Sequence, residues 1–196
     1  ASCCVFKGSW YKTVEIYRKW ALKQDWYVRS KERKKQSRNK EINDIALWFW
    51  NRGGADEVID PVIKLQEKMG LPVALDWYWW HRNPYDTEYP RYLPPREGTE
   101  KFTAAVQRLN KKGIYAQVYI SGVLCDMDDS ESWENTGERS AVITHNGSAK
   151  YSAFNKFMKH RLAFMCGQGS EFRAVITDLA EKIKNMGLKG LYLDVI

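Results

Sequence analysis

Met69-Gly70-Leu71-Pro72-Val73-Ala74-Leu75-Asp76 joins the end of an amphipathic helix, through a glycine, to a short apolar strand that finishes on a carboxylate. The same order returns twice. Lys112-Gly113-Ile114 leads into Ala116-Gln117-Val118-Tyr119, and Met186-Gly187-Leu188 leads into Leu191-Tyr192-Leu193-Asp194. Repetition of helix, glycine and strand builds a parallel sheet, and parallel βα sheets carry their chemistry at the carboxyl ends of the strands. Two of these three strands end in aspartate.

Working outward from these joins gives the rest of the chain. Trp10 to Gln24 reads as a helix, with Trp10, Val14, Tyr17, Ala21 and Leu22 on one stripe. A first strand, Ile45 to Trp50, closes on Asn51-Arg52-Gly53-Gly54 and feeds a helix to about Met69. Asp60-Pro61 fits a cap followed by a first-turn proline, so the helix proper is expected to start late. A Pro- and Tyr-rich loop, Trp79 to Gly98, follows the second strand. A helix over Thr99 to Lys112 then precedes a third strand, Tyr115 to Ser121. The stretch 122–169 is too long for a simple loop and is expected to rise above the strand ends, with a short helix or added strand between Lys150 and Met165. Ser170 is expected to cap a helix carrying Phe172, Ile176, Leu179 and Ile183 on one face, and Gly190 to Val195 is the fourth strand.

Strand parity selects the architecture. Side chains alternate across a strand. With Val73 and Leu75 toward the helices, Ala74 and Asp76 face away. The same split sets Leu191 and Leu193 against Tyr192 and Asp194, Ala116, Val118 and Ile120 against Gln117, Tyr119 and Ser121, and Leu47 and Phe49 against Trp48 and Trp50. A doubly wound sheet has helices on both faces and needs both aliphatic. One aliphatic and one polar-aromatic face fit a barrel, and no Gly-rich phosphate fingerprint follows any strand. The expected fold is therefore α/β, a parallel (β/α) barrel of the TIM type, of which 41–196 supplies the first four strands; 1–40 forms an N-terminal helix and a basic linker. Four strands are half of an eight-stranded barrel, so the chain is read as a piece of a longer protein, whose partner is the missing half of the barrel or a second copy.

Bulk properties exclude several classes. The 196 residues carry a net charge of +7, much of it in the run Lys31 to Lys40. That run has no interleaved aromatics to stack bases, so it reads as a solvated linker rather than a nucleic-acid arm. No apolar stretch approaches the roughly 18 residues of a membrane span, and Ala1 to Phe6 does not read as a signal peptide, which leaves the compartment open. Cys3, Cys4, Cys125 and Cys166 lack zinc spacing. Asp126, Asp128 and Asp129 lack the glycine and distal glutamate of a calcium loop and read as solvated. No metal or other cofactor is expected. Nine Trp and eleven Tyr are the unusual feature.

Asp194 and Asp76 end strands on the polar face, with Trp48, Trp50, Trp77, Trp79 and Tyr119 near the same rim and His81 beside them. Indole faces stack on the CH faces of a pyranose, and a carboxylate can attack the anomeric carbon or stabilise its positive charge. The order of strand ends resembles the retaining glycoside hydrolase barrels of the α-galactosidase superfamily. Leu75-Asp76-Trp77 is similar to their second-strand sugar-binding end, Leu191-Tyr192-Leu193-Asp194 to the strand that ends in the nucleophile, and Trp48 or Trp50 to a first-strand pocket tryptophan. Tyr17-Arg18-Lys19-Trp20-Ala21, Gln24-Asp25-Trp26, Met165-Cys166 and Gly190-Leu191-Tyr192-Leu193-Asp194 together resemble a bacterial family of large glycosidase-like barrel proteins.

The resemblance implies Asp194 as nucleophile, and Asp76, Trp77, Trp50, Trp48, Tyr119, Trp79 and His81 as the substrate-binding wall. The chain departs from the pattern at Tyr192, where α-galactosidases carry a sugar-contacting lysine. The acid/base carboxylate of such barrels comes from a later strand, so the segment is expected to be inactive alone. A non-catalytic carbohydrate-binding module and a basic nucleic-acid-binding protein are the rival readings.

Overall fold

The computed structural model describes residues 5–28, 40–83 and 87–194. They fall into two compact units, 1–44 and 45–196. The first contains α1 (Trp10–Ala21) and a short α2 (Lys40–Asn43). The helix expected to Gln24 ends at Ala21, and Trp10, Tyr11, Tyr17 and Trp20 are all exposed along it. Apart from Lys40, the basic run lies outside the described residues.

The second unit is built on β1 (Leu47–Arg52), β2 (Val73–Tyr78), β3 (Tyr115–Ser121) and, after a long excursion, the last strand (Gly190–Asp194). These four strands form one sheet in that order, every neighbouring pair parallel. The helices α3 (Ala55–Met69), α4 (Thr99–Lys111) and α5 (Ser170–Asn185) link them. Val58, Ile59 and Val62 of α3, Phe102, Val106 and Leu109 of α4, and Leu179 and Ile183 of α5 are buried in one core with Val73, Leu75, Trp77, Ala116, Val118 and Ile120. Each such fully buried aliphatic or aromatic side chain contributes about 1.5–3 kcal/mol relative to exposure. The parity argument holds for β2 and β3, whose aliphatic face meets the helices; on the edge strands Phe49 and Leu191 pack against this core, while Leu47 and Leu193, expected there too, are exposed.

Two helix starts differ from expectation. α3 begins at Ala55, not after Asp60-Pro61, and Pro61 lies inside it. The early start is explained by its first-turn N–H groups: Gly54 N donates to Glu57 Oε2 at 3.0 Å, and Ala55 N donates to the Glu97 carboxylate. Burial of Ala55, Val58 and Ile59 adds a packing reason for those turns to form despite the proline. α5 is preceded by Gly169 at the cap position; Ser170 is its first helical residue and makes no capping bond.

The excursion holds more strand than expected. Leu124–Asp126 (β4), Tyr151–Ser152 (β5) and Leu162–Phe164 (β6) form an antiparallel sheet in the order β4-β6-β5, and the last strand of the main sheet is thus β7. Ser130 to Ser140 forms short helical turns instead. Asp126 is fully buried rather than solvated, because its carboxylate accepts from Glu88 N at 2.6 Å, Asp128 N at 2.9 Å and His160 Nδ1 at 2.5 Å. Arg91 reaches Asp129 at 2.7 Å and also pairs with Glu131. These contacts tie the excursion to the loop after β2.

A two-faced sheet makes neighbouring tryptophans unequal. Trp77→Ala is expected to lower stability by about 3–5 kcal/mol, and Trp50→Ala by about 1 kcal/mol or less, as read by urea unfolding.

Candidate active site

The exposed face of the main sheet is built in rows by strand register. Trp50 lies beside Asp76, and Asp76 beside Gln117. The next row toward the carboxyl ends runs from Arg52 and Tyr78 to Tyr119 and Tyr192. Its tyrosines form a ladder, with ring centroids 4.2 Å apart for Tyr78–Tyr119 and 6.0 Å for Tyr119–Tyr192. Asp194 stands one row further, beside Ser121. Below Asp76, Trp48 meets Tyr115 edge-on at 5.7 Å. A side chain at Gly190 would collide with the Tyr115 hydroxyl and Gln117 Cβ, so this position must be glycine to leave those two groups in place.

Asp76 is the tense group of this face. One carboxylate oxygen, Oδ1, is buried with no hydrogen-bond partner among the described residues. Burial pushes its pKa above the ordinary carboxylate value, a hydrogen bond from Gln117 works the other way, and repulsion from Asp194 adds to the rise. The two acids therefore lie within reach of each other's field. A half-buried acceptor without a donor leaves one hydrogen bond unmade, which a donor placed on this face would supply.

The expected site residues do not all gather here. Asp76, Asp194, Trp48, Trp50 and Tyr119 share the face, with Tyr119 buried in the tyrosine ladder. Trp79 sits at the rim, its indole under the Arg52 guanidinium at 4.6 Å. Trp77 belongs to the opposite face by alternation. It is fully buried, stacks on Phe102 at 4.9 Å, and donates its indole N–H to Gly53 O at 3.0 Å. It is a core residue and not part of a sugar wall. His81 is also enclosed, against Trp80, Tyr89 and Tyr92. Burial drives its pKa down to about 4. Gln117 and Tyr192, placed on this face by parity but not among the expected site residues, join it, as do Arg52 and Tyr78, which the same parity reaches once β1 runs to Arg52 and β2 to Tyr78.

Among the described residues, Asp126, Asp128 and His160 are grouped closely enough to hold a metal ion. The Asp126 oxygens are taken by Glu88, Asp128 and His160, and Asp128 is held by Arg161 at 3.0 Å. The arrangement is accounted for as a structural clasp.

With the geometry in view, comparison with known proteins is decisive for the family. The family described as "Domain of unknown function (DUF6259)" matches residues 1–196. The chain belongs to that family. It is 24% identical over 218 aligned residues to "Putative glycoside hydrolase 22789" of Monosiga brevicollis, a match covering 94% of this chain and 18% of that protein. It is 26% identical over 160 residues to a "Putative glycoside hydrolase" of Bacteroides thetaiotaomicron, covering 78% of this chain and 23% of that one. The chain thus spans about a fifth of the length of these curated relatives. The ligand-free α-N-acetylgalactosaminidase NagBb of Bifidobacterium bifidum superposes with a TM-score of 0.57 at 18% identity, over 76% of this chain and 28% of that one. The α-galactosidase TtGalA of Thermus thermophilus in complex with stachyose does so with a TM-score of 0.54 at 12% identity, over 77% and 32%. The fold is that of the glycosidase barrels, in the part built from these four strands.

His81 supplies a test of this packing. Its folded pKa of about 4 lies below the ordinary value of 6.5. As pH falls through that interval the unfolded chain takes up a proton that the folded chain refuses, so stability declines from 6.5 to 4. His81→Gln is expected to flatten that decline in urea unfolding series across the same range.

Proposed function

We propose that this chain is the substrate-binding and nucleophile-bearing part of a retaining glycoside hydrolase barrel. The observation that carries the reading is the position of Asp194: it ends a parallel strand on the same face as Asp76 and the exposed indoles. Asp194 attacks the anomeric carbon and the leaving group departs, forming a glycosyl-enzyme ester that water later hydrolyses. Asp76 accepts a sugar hydroxyl at its unpartnered oxygen. Trp50, with the tyrosine ladder behind it, offers a flat apolar surface to the pyranose.

Asp76 is not the acid partner of Asp194. Their strands are separated by β3, and their register partners, Gln117 and Ser121, stand four residues apart along it. At ~3.3 Å per residue and ~4.8 Å between strands, the backbones are well over the spacing that brings retaining carboxyls to about 5–5.5 Å. The acid/base carboxylate comes from elsewhere in the complete barrel, and the 196-residue chain binds glycosides without turning them over.

The test uses a protein containing this chain together with the remainder of its barrel. Asp194→Asn is expected to reduce aryl glycoside turnover by about a thousandfold or more while sugar binding stays within about threefold of wild type. Unchanged turnover in that variant, or turnover by the 196-residue chain alone, overturns the reading. If wild type binds sugar and shows no turnover on any aryl glycoside, the binding-module alternative takes its place.

A further inference from the structure

We infer that Arg52 selects a substrate whose sugar carries an anionic group, a uronic acid carboxylate or a sulfate ester. The inference rests on the sugar-site reading above and deepens it.

Arg52 is the last residue of β1, on the same face as Trp48 and Trp50. Its guanidinium lies 4.6 Å from the Trp79 ring centroid and 5.6 Å from that of Trp50. The clamp is built rather than incidental. Trp79 holds a left-handed backbone with φ of 54°, which a bulky side chain adopts only at a cost, and Arg96 Nη1 donates to its carbonyl at 3.4 Å. That turn sets the indole against Arg52.

Among the described residues, the Arg52 side chain makes no hydrogen bond or ion pair, although its face contains two carboxylates. Its planar donors are held by stacking and remain open at their edges. A stacked guanidinium loses less freedom on binding than a lysine and matches the paired oxygens of carboxylate or sulfate. Every other described residue of this face is neutral or acidic. The other charged groups on the strands of this face are Asp76 and Asp194, so Arg52 is the strand-borne cation that would favour a charged sugar over a neutral one. The tyrosine ladder lies between Arg52 on β1 and the end of β7 that carries Asp194.

The experiment is a binding titration of the protein that contains this chain together with the remainder of its barrel, read by indole fluorescence and calorimetry at physiological salt. The probes are methyl glycosides in the gluco and galacto series, each as the neutral sugar, the uronic acid and the 6-sulfate, with inorganic sulfate as control. At least one charged member is expected to bind about tenfold tighter than its neutral parent, the size of one charge-assisted contact. The arm that responds identifies carboxylate or sulfate. Arg52→Gln is expected to abolish the preference, read as the ratio of charged to neutral affinity within the variant falling to about one. Three results overturn the inference alone: neutral sugars bound as well as charged ones, a preference that survives Arg52→Gln, or an equal loss for charged and neutral sugars in that variant. Absence of binding by every glycoside removes the sugar-site reading and this inference with it.

Discussion

Everything in the second unit depends on one constraint, the strict alternation of side chains along four parallel strands whose helices cover a single face. Burial of Val73, Leu75, Val118 and Ile120 against the helices fixes which way β2 and β3 are turned, and the parallel register carries that alternation to β1 and β7. Once that is set, Asp76 and Asp194 have no choice but to face the uncovered side. A slip of one residue in β2 or β3 would send its whole apolar set to the other face, so the packing that stabilises the sheet is also what aims Asp76. Trp77 shows the same rule from the other side: one residue after Asp76, it is locked into the core by Phe102 and by the Gly53 carbonyl.

The aimed acids are unlike each other in surroundings. Asp76 is held deep in its row, one oxygen short of a donor and under repulsion from Asp194, with Gln117 as its compensating contact. A group kept in that condition is stabilised by a ligand that brings a hydroxyl. The tyrosine ladder above it and Trp50 beside it provide the flat apolar surface, and the Arg52 clamp provides a fixed positive charge at the rim. The superposition on glycosidase barrels shows the fold that sets these strand ends side by side, and the chain spans about a fifth of the length of its curated relatives.

Much of this was legible before coordinates. The helix–glycine–strand joins at Gly70, Gly113 and Gly187 gave β2, β3 and β7 nearly to the residue, because each helix face and strand alternation is a local pattern. Tertiary contacts were not legible. Pro61 suggested a late start for α3, but the donors that open it are satisfied by Glu57 and by Glu97, and the latter lies 42 residues away. The excursion hides its strands because two- and three-residue segments carry no period, and Asp126 reads as solvated because its partners, Glu88 and His160, are distant in sequence. Proximity in sequence misassigned Trp77 and His81 to the pocket, whereas parity alone would have removed Trp77. Arg52 reads in sequence as a turn residue, because the left-handed Trp79 that completes its clamp lies on another strand's loop.

The central claim is that Asp76 and Asp194 look into one shared space. Carboxyl carbon NMR titration of Asp76, in wild type and in Asp194→Asn, tests it most directly. The account predicts that Asp76 titrates above an ordinary aspartate in wild type and that its midpoint falls when the charge at 194 is removed. An Asp76 midpoint at the ordinary value, or one indifferent to the change at 194, would contradict it.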